Sequence, residues 1–252
     1  MGVIMKEFTI PVVDMKIQGK LSSVIEDNDV EGIELEYLWD SNKPRVLFSG
    51  VIPVAGKDGL GFSFCVEAPH NKLKANKTED KTKVFFDDCL EIFLQPEDSS
   101  VYYGFEINPK GVCLDYRVFI RGDGDSTEGL SLPQELEGAK EFDGGEKIFG
   151  YFNDVIGKKI LTFDYDWSSH RKCVSEIEDE FWWLDVFIPW EDFGLQEAPK
   201  KNAHWRGTIN RIDSSVPRGT NHGFLCLLDE TELVSFHQPD KFASFSFFPV
   251  QK

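Results

Sequence analysis

The segment KVFFDDCLEIFLQ, residues 83–95, alternates apolar and polar positions with the two-residue period of a β-strand. Three apolar side chains share one face, as in a strand that covers a core: Leu90, Ile92 and Leu94. The opposite face carries Glu91 and Phe93, and two phenylalanines and two aspartates come just before it. This second face is therefore either an ordinary solvated sheet surface or a binding site.

Similar strand patterns recur along most of the chain. Residues 33–39 (IELEYLW) alternate, residues 101–120 contain the turn sequence NPKG, and residues 181–190 (FWWLDVFIPW) are almost continuously apolar. In the turn, Pro109 and Gly111 occupy positions that suit a type I turn. Helix-like segments are scarce. Many short strands separated by turn signals indicate an antiparallel sandwich.

The predicted fold class is all-β, an antiparallel β-sandwich of jelly-roll or immunoglobulin-like type with long loop insertions. Two polar, glycine-rich stretches, residues 122–129 and 136–147, are read as parts of one insertion. With 252 residues, 41% of them hydrophobic, and no dividing linker, residues 1–252 are predicted to form a single domain. The predicted core between the sheets contains Leu90, Ile92, Leu94, Trp182, Leu184, Val186 and Ile188.

Net charge limits the partners. The chain has 27 Lys and Arg against 44 Asp and Glu, a formal charge of −17. Nucleic-acid phosphates would be repelled, and so would an anionic membrane surface, so neither is a predicted partner. Neutral sugars and cations such as calcium remain compatible with this charge.

The five cysteines and the N-terminus indicate a reduced compartment. The cysteines lie in or near apolar runs without a CxxC spacing, which is typical of small core residues. The first twenty residues lack the apolar stretch of a signal peptide. The prediction is a cytoplasmic protein as written, or a secreted one if a leader has been removed.

Enzyme signatures of the common metalloprotease, nucleotide-binding and serine-hydrolase types are missing from the sequence. The loop RGDGDSTEG, residues 121–129, brings three acids close together, as a calcium loop would: Asp123, Asp125 and Glu128. The loop does not follow the EF-hand pattern, because Glu128 stands where the loop glycine belongs. A solvated acidic loop is the alternative to a metal site here.

The run FWWLDVFIPW is apolar on both of its faces. A strand of this kind is usually central and covered on both sides. The alternative is that Phe181, Trp183 and Phe187 form a concave face that stacks a flat ligand.

Three segments, in this order, resemble family 9 carbohydrate-binding modules. The first is FFDDCLEIFLQPED with YYGFEINPKG, the second is FWWLDVFIPWEDFG, and the third is WRGTINRID with SFHQPDKFASFSFF. Together they run from Phe85 to Phe248. The resemblance implies a β-sandwich that binds sugars without catalysis, a carbohydrate ligand, and in some members structural calcium. Because members often accompany plant-polysaccharide hydrolases, an accessory role beside such enzymes is also implied.

The resemblance also implies site residues. Phe85 and Phe236 fall where sugar-binding members have two clamping aromatic rings, and Glu91 falls where a glutamate accepts a sugar hydroxyl. Glu106 stands where a binding member has an arginine, and Leu233 stands near the place of a polar amide. The candidate ligand-binding residues are Phe85, Phe86, Glu91, Glu106, Phe236 and His237. For the two clamp residues, packing in the core is the alternative, and for Phe93 packing is the preferred reading.

Other functions stay open from the sequence. A glycoside hydrolase is one alternative, and an interaction module with a degenerate sugar site is another. A haem module is a third, although the only methionines are Met1, Met5 and Met15. Within the third segment, we expect Trp205 to be buried beneath the end of the sheet. We expect Arg211 to pair with a carboxylate near Asp87 or Asp88 rather than to contact a ligand.

Overall fold

The computed structural model describes residues 6–19, 21–28, 30–37, 49–67, 73–178, 180–214, 224–226 and 235–250. Strands dominate this part of the chain, as the sequence predicts, so the all-β fold class is confirmed. In chain order the strands are β1 Glu7–Val12, β2 Ile33–Glu34, β3 Glu36–Tyr37, β4 Ser49–Ala55, β5 Gly59–Glu67, β6 Cys89–Gln95, β7 Val101–Ile107, β8 Cys113–Asp123, β9 Tyr151–Ile156, β10 Lys159–Asp164, β11 Lys172–Glu178, β12 Phe181–Pro189, β13 His204–Ile212, β14 Phe224–Cys226 and β15 Ala243–Pro249.

Helical structure is limited to short pieces in the described ranges. One α-helix, α1, spans Leu21–Asn28, and the sequence patterns did not predict it. Single 3-10 turns span Val84–Phe86, Gln134–Leu136, Trp190–Phe193 and Pro239–Lys241.

The strands form two packed halves that one strand joins. One half has the order β11-β12-β5-β4, and the other has the order β15-β13-β6-β7-β8-β10-β9. Neighbouring strands within each half are antiparallel. Strand β1 pairs in parallel with β15 over six positions and with β4 at Val12 and Ala55. The hydrogen bonding therefore makes one mixed sheet, rather than the two purely antiparallel sheets that were predicted.

The predicted core lies between the two halves. Leu90, Ile92 and Leu94 on β6 belong to the same buried cluster as the apolar face of β12, which we call the first core. All seven predicted core side chains belong to it, and all are fully buried. The β12 residues are Trp182, Leu184, Val186 and Ile188.

The opposite face of β6 is also covered, by a second core. It contains Cys89 and Phe93 of β6 together with apolar residues of β7, β8 and β10. Val84, Ile148, Phe236 and Phe242 cover it from the connecting segments: the 3-10 turn before β6, the insertion, and the chain before β15. The sheet around β6 is therefore buried on both faces, so the second face of this strand is not a solvated surface.

The outer face of β12 is only partly covered. Phe187 packs with Leu21 and Val24 of α1 in a third, smaller cluster. Phe181 and Trp183 remain exposed at 38% and 44%, with their ring centroids 6.3 Å apart. The sequence left open whether this outer face is covered by other residues or forms a ligand-stacking surface. Phe187 is covered, whereas Phe181 and Trp183 lie outside the core.

Candidate functional site

A cavity of about 320 Å³ opens into the second core, on the face of the sheet that carries Glu91. Five of the six predicted ligand-binding residues line it: Phe85, Glu91, Glu106, Phe236 and His237. Phe86 is the exception, although its ring contacts Phe85 with a centroid distance of 4.8 Å. The remaining lining residues are Leu114, Phe152, Asp154, Ile156, Phe163, Tyr165, Ile212 and Ser235.

Two glutamates form the sheet side of the cavity. Glu91 on β6 and Glu106 on β7 are direct cross-strand partners, and a strand pairing of this kind brings their side chains together on one face. Their exposures are only 3% and 5%. Asn210 on β13 is the cross-strand partner of Glu91 on its other side and donates to Glu91 Oε2 at 3.4 Å. Thr208 Oγ1 donates in turn to Asn210 Oδ1 at 2.7 Å.

Tyr116 on β8 reaches the second glutamate across a glycine. Its hydroxyl donates to Glu106 Oε1 at 2.6 Å. The cross-strand partner of Tyr116 is Gly104, and a Cβ atom added there would lie 2.4 Å from the Tyr116 ring. A glycine is therefore required at residue 104 for the ring to lie flat over β7 and hold Glu106.

Burial governs the electrostatics of the pair. Burial raises the pKa of Glu106 to about 7, against a lowering effect of the Tyr116 hydrogen bond. Burial and the neighbouring Glu106 carboxyl together hold the pKa of Glu91 well above its ordinary range. Glu106 Oε2 is buried and has no hydrogen-bond partner in the described part of the chain. The cavity thus presents two carboxyl groups whose acceptor capacity is only partly used.

His237 lies beside the pair as a neutral ring. Its Nδ1 is 2.9 Å from the Tyr102 hydroxyl. The imidazole stacks on Phe93 at a centroid distance of 4.6 Å and meets the edge of Phe163 at 5.0 Å. Burial lowers the pKa of His237 to about 3, so the ring carries no charge near neutral pH.

Aromatic rings form the walls of the cavity. Phe85 is half-buried against the second core, whereas Phe236 is 8% exposed and belongs to that core. Phe163 of β10 and Tyr165, just after that strand, stack on each other at 5.9 Å, and Phe152 of β9 is 39% exposed at the rim. The two predicted clamp residues, which are 151 positions apart, therefore line one cavity. Phe93 does not line it and is fully buried beneath His237.

Strands β9 and β10 supply lining residues that the sequence analysis missed. Phe152, Asp154 and Ile156 repeat with a period of two, and so do Phe163 on the partner strand and Tyr165 just after it. That alternation was the sequence pattern from which these two lining strands could have been predicted. The predicted insertion around residues 122–147 is followed directly by this hairpin, and only the folded chain shows that the hairpin pairs with β8.

The acidic turn before β6, Asp87 and Asp88, holds neighbouring loops in place. Asp87 Oδ2 accepts hydrogen bonds from the Lys77 amide at 2.8 Å and from Asn108 Nδ2 at 3.0 Å. Asp88 accepts from the Lys74 amide at 2.5 Å and from the amide and hydroxyl of Ser214. These bonds fix the segment that carries Phe85.

The described hydrogen bonds of Arg211 run to the other half of the sandwich and not to Asp87 or Asp88. Arg211 projects into the space between the two halves, where it donates to Ser49 Oγ at 2.7 Å and to the Glu67 carbonyl at 2.8 Å. Side chains alternate along β13, so Arg211 faces away from its neighbour Asn210 and from the cavity. Trp205 is buried in the first core, as expected.

The proposed calcium loop is not assembled as a ligand set in the described residues. Asp123 pairs with Lys159 Nζ at 2.8 Å, and Asp125 and Glu128 do not join it in a group of three ligands. The group that does satisfy ligand spacing is Cys89, Glu91 and Glu106, whose donor atoms lie within 4.8 Å of one another. Burial holds the pKa of the Cys89 thiol well above its ordinary value, so this thiol is protonated near neutral pH. Leu233 and the side chain of Cys226 lie outside the described residues.

A second groove, of about 870 Å³, lies elsewhere, between β1 and the segment after α1. Its lining is exposed or half-buried and mixed in charge, and it contains Lys6, Glu7, Thr9, Asn28, Glu31 and Glu34. Paired buried groups and aromatic walls distinguish the smaller cavity, which is therefore the candidate site.

No helix in the described ranges is long and apolar enough to cross a membrane.

Comparison with known proteins supports the fold. The family model for carbohydrate-binding family 9 matches residues 39–135, which include both strands of the glutamate pair. Among solved structures, a candidate carbohydrate-binding protein from Bacteroides uniformis has a TM-score of 0.64 at 17% identity, covering 97% of this chain and 100% of that chain. No curated protein sequence matches the chain significantly.

Two further solved structures are family 9 modules from Caldicellulosiruptor kristjanssonii. The glucose complex has a TM-score of 0.54 at 10% identity, covering 98% of each chain. The cellotriose complex has a TM-score of 0.52 at 11% identity, covering 98% of this chain and 96% of that chain. The fold is therefore that of a family 9 carbohydrate-binding module, and the resemblance that the sequence motifs indicated is confirmed.

Proposed function

We propose that this chain binds a saccharide, without transforming it, in the cavity between Phe85 and the Glu91–Glu106 pair. The observation that carries the proposal is the combination of aromatic walls with two buried carboxyl groups that keep free acceptor capacity. The fold adds support, since family 9 modules of the same fold have been solved with glucose and with cellotriose.

The chemistry of the cavity suits a sugar ring. One side of a pyranose presents C–H groups, which pack against aromatic faces such as Phe85 and Phe236. Its hydroxyl groups can donate to carboxyl oxygens, and Glu106 Oε2 is a buried acceptor without a partner in the described residues. The sugar would thus satisfy an acceptor that otherwise costs free energy.

The volume of the cavity limits the size of the ligand. At about 320 Å³ it lies at the lower end of the range of small-molecule sites, roughly 300–1,000 Å³. We therefore expect one or two sugar rings to enter it, such as a monosaccharide or one end of a chain. Two phenylalanines offer less stacking surface than two tryptophans, so the expected dissociation constant is about 0.1–1 mM, or roughly 4–5.5 kcal/mol.

Calorimetric titration of the purified protein with mono- and disaccharides tests this proposal. Phe85→Ala should weaken binding about tenfold, because a half-buried wall residue loses its stacking contact. The free energy of unfolding should fall little in this variant. Phe248→Ala is the matched control, since Phe248 is 39% exposed on β15 and does not line the cavity.

Two outcomes would contradict the proposal. One is a Phe85→Ala variant that unfolds many degrees earlier and binds as before, which would make the ring a packing residue only. The other is a complete failure to bind on a glycan array, which favours the interaction module. Phe236→Ala is less informative, because truncating a ring that is 8% exposed should itself destabilise the second core.

The arrangement of the carboxyl groups favours binding over hydrolysis. Glycosidases place two carboxyl groups on either side of the scissile bond. Glu91 and Glu106 are instead cross-strand neighbours on one wall. We expect no turnover of aryl glycosides, and measurable turnover that is lost in Glu91→Gln would establish the hydrolase alternative. An accessory role beside polysaccharide-degrading enzymes stays a prediction from the family resemblance.

A further inference from the structure

The cavity has an unusual charge balance on its sheet side. Glu91 and Glu106 face each other across β6 and β7, and Asp154 of β9 also lines the cavity. Among the residues that the structure describes, no lysine, arginine or histidine forms an ion pair with Glu91 or Glu106. Their hydrogen-bond partners, Asn210 and Tyr116, are neutral.

Buried carboxyl groups are normally paired with a cation, because an isolated buried charge is costly. The cavity's histidine cannot supply one, since His237 is enclosed by aromatic rings and its Nδ1 faces the Tyr102 hydroxyl. Glu106 Oε2 is fully buried, and none of the residues that the structure describes donates a hydrogen bond to it. An acceptor in this position lacks a donor, and a positively charged donor would compensate most of the negative charge.

We propose that the preferred ligand of this cavity is an amino sugar, whose ammonium group binds between Glu91 and Glu106. The inference rests on the proposed sugar-binding function and narrows its ligand class. An ammonium group carries three donors, which match the open acceptor positions of the two adjacent carboxyl groups, and its positive charge favours their ionised forms. Hydrogen bonds of this charged kind are roughly twice as strong as neutral ones.

The walls of the cavity suit the same group. A cation close to aromatic faces is attracted by their ring quadrupoles, and the attraction grows when water is excluded. Phe85, Phe163, Tyr165 and Phe236 all line the cavity. Acidic sugars should be rejected, because the sugar carboxylate would be the fourth acidic group in the cavity, beside Glu91, Glu106 and Asp154, without a cation between them.

The test is a calorimetric titration near neutral pH with four monosaccharide probes: glucosamine, N-acetylglucosamine, glucose and glucuronate. Glucosamine should bind about tenfold or more tightly than glucose, which differs from it by a hydroxyl in place of the ammonium group. N-acetylation removes the charge and should abolish the advantage. Glucuronate should show no measurable binding.

Variants locate the effect at the carboxyl pair. Glu106→Gln keeps the shape of the side chain and should reduce the preference for glucosamine over glucose to less than threefold. Glu137→Gln is the matched control, because Glu137 is exposed in the loop after β8 and does not line the cavity. It should keep the wild-type preference. Thermal melts establish that each variant is folded before its binding is compared.

The outcomes separate this inference from the proposed function. Binding of glucose and glucosamine with equal affinity would overturn the amino-sugar inference and leave sugar binding intact. No binding of any sugar would overturn the proposed function and the inference with it. A glucosamine preference that disappears when a chelator is added would assign the cation to a metal ion at Cys89, Glu91 and Glu106, and would also overturn the inference.

Discussion

The residues that decide the character of the site are Glu91 and Glu106. Their sequence contexts are those of ordinary strand residues, and neither side chain would be notable on a solvated sheet. Burial at 3% and 5% exposure changes their chemistry, because the charged form of a carboxyl group loses its hydration. The same two side chains thus become high-pKa groups facing a cavity.

The raised pKa of Glu106 predicts a measurable pH dependence of stability. The folded-state pKa of about 7 exceeds the ordinary glutamate pKa of 4.5, so the folded protein binds the proton more tightly than the unfolded chain. The stabilisation from this proton is therefore present at low pH and is lost as the pH rises from about 4.5 to about 7. Glu106→Gln should remove this pH-dependent loss of stability, because the glutamine side chain does not titrate.

The measurement is thermal and denaturant unfolding at pH 5 and pH 8, for the wild type, Glu106→Gln and the control Glu137→Gln. We expect the Gln variant to gain stability relative to the wild type at pH 8, on the order of 2 kcal/mol, and to gain far less at pH 5. Equal differences at both pH values would show that Glu106 does not titrate in this window.

At the scale of elements, β1 is a short strand that joins the two halves of the sandwich. Its six residues pair in parallel with β15, and its last residue pairs with β4, so it connects the two halves of the sandwich. Ile10 on this strand is fully buried in the first core, whereas its neighbour Thr9 is exposed on the opposite face. The strand thus contributes both hydrogen bonds and packing.

We expect Ile10→Ala to lower the free energy of unfolding by about 2–5 kcal/mol, since it removes buried methylene groups and leaves a cavity. Thr9→Ala, one position away on the same strand, should change it by less than about 1 kcal/mol. Urea unfolding followed by tryptophan fluorescence measures both. Similar losses in the two variants would mean that the strand contributes through its backbone pairing alone.

At the scale of the whole molecule, the excess of acids acts on stability and on partner choice. The formal charge of −17 is spread over 252 residues, and self-repulsion of this kind destabilises a compact state. We propose that residues 1–252 form one domain, a proposal supported by the continuous hydrogen-bonded path through β1. In a single domain, the repulsion among the excess acids lowers the stability of the whole domain.

Salt should therefore stabilise the protein. Raising sodium chloride from about 10 mM to about 0.15 M shortens the screening length from roughly 30 Å to roughly 8 Å. We expect the melting temperature to rise by a few degrees over this range, and potassium chloride should act equally, since the effect is one of screening. A melting temperature that stays constant or falls would show that the ion pairs of the surface outweigh the repulsion between its acids.

Local pattern was enough to predict the all-β class and much of the first core. A strand that buries one face must repeat its apolar residues every second position, and Leu90, Ile92 and Leu94 or Trp182, Leu184 and Val186 do so whatever surrounds them. The short motifs were enough to indicate the family resemblance and five of the residues that line the cavity.

Only the tertiary structure decided what the second face of β6 does. The residues that cover it come from the turn before β6, from the segment before β9, and from the chain before β15, and no local pattern links segments so far apart. The parallel pairing of β1 and the direction of Arg211 were likewise decided by partners distant in sequence. The sequence by itself determined which residues alternate; long-range packing decided which of two apolar faces became a core with a cavity, because burial depends on what the rest of the chain places above each face.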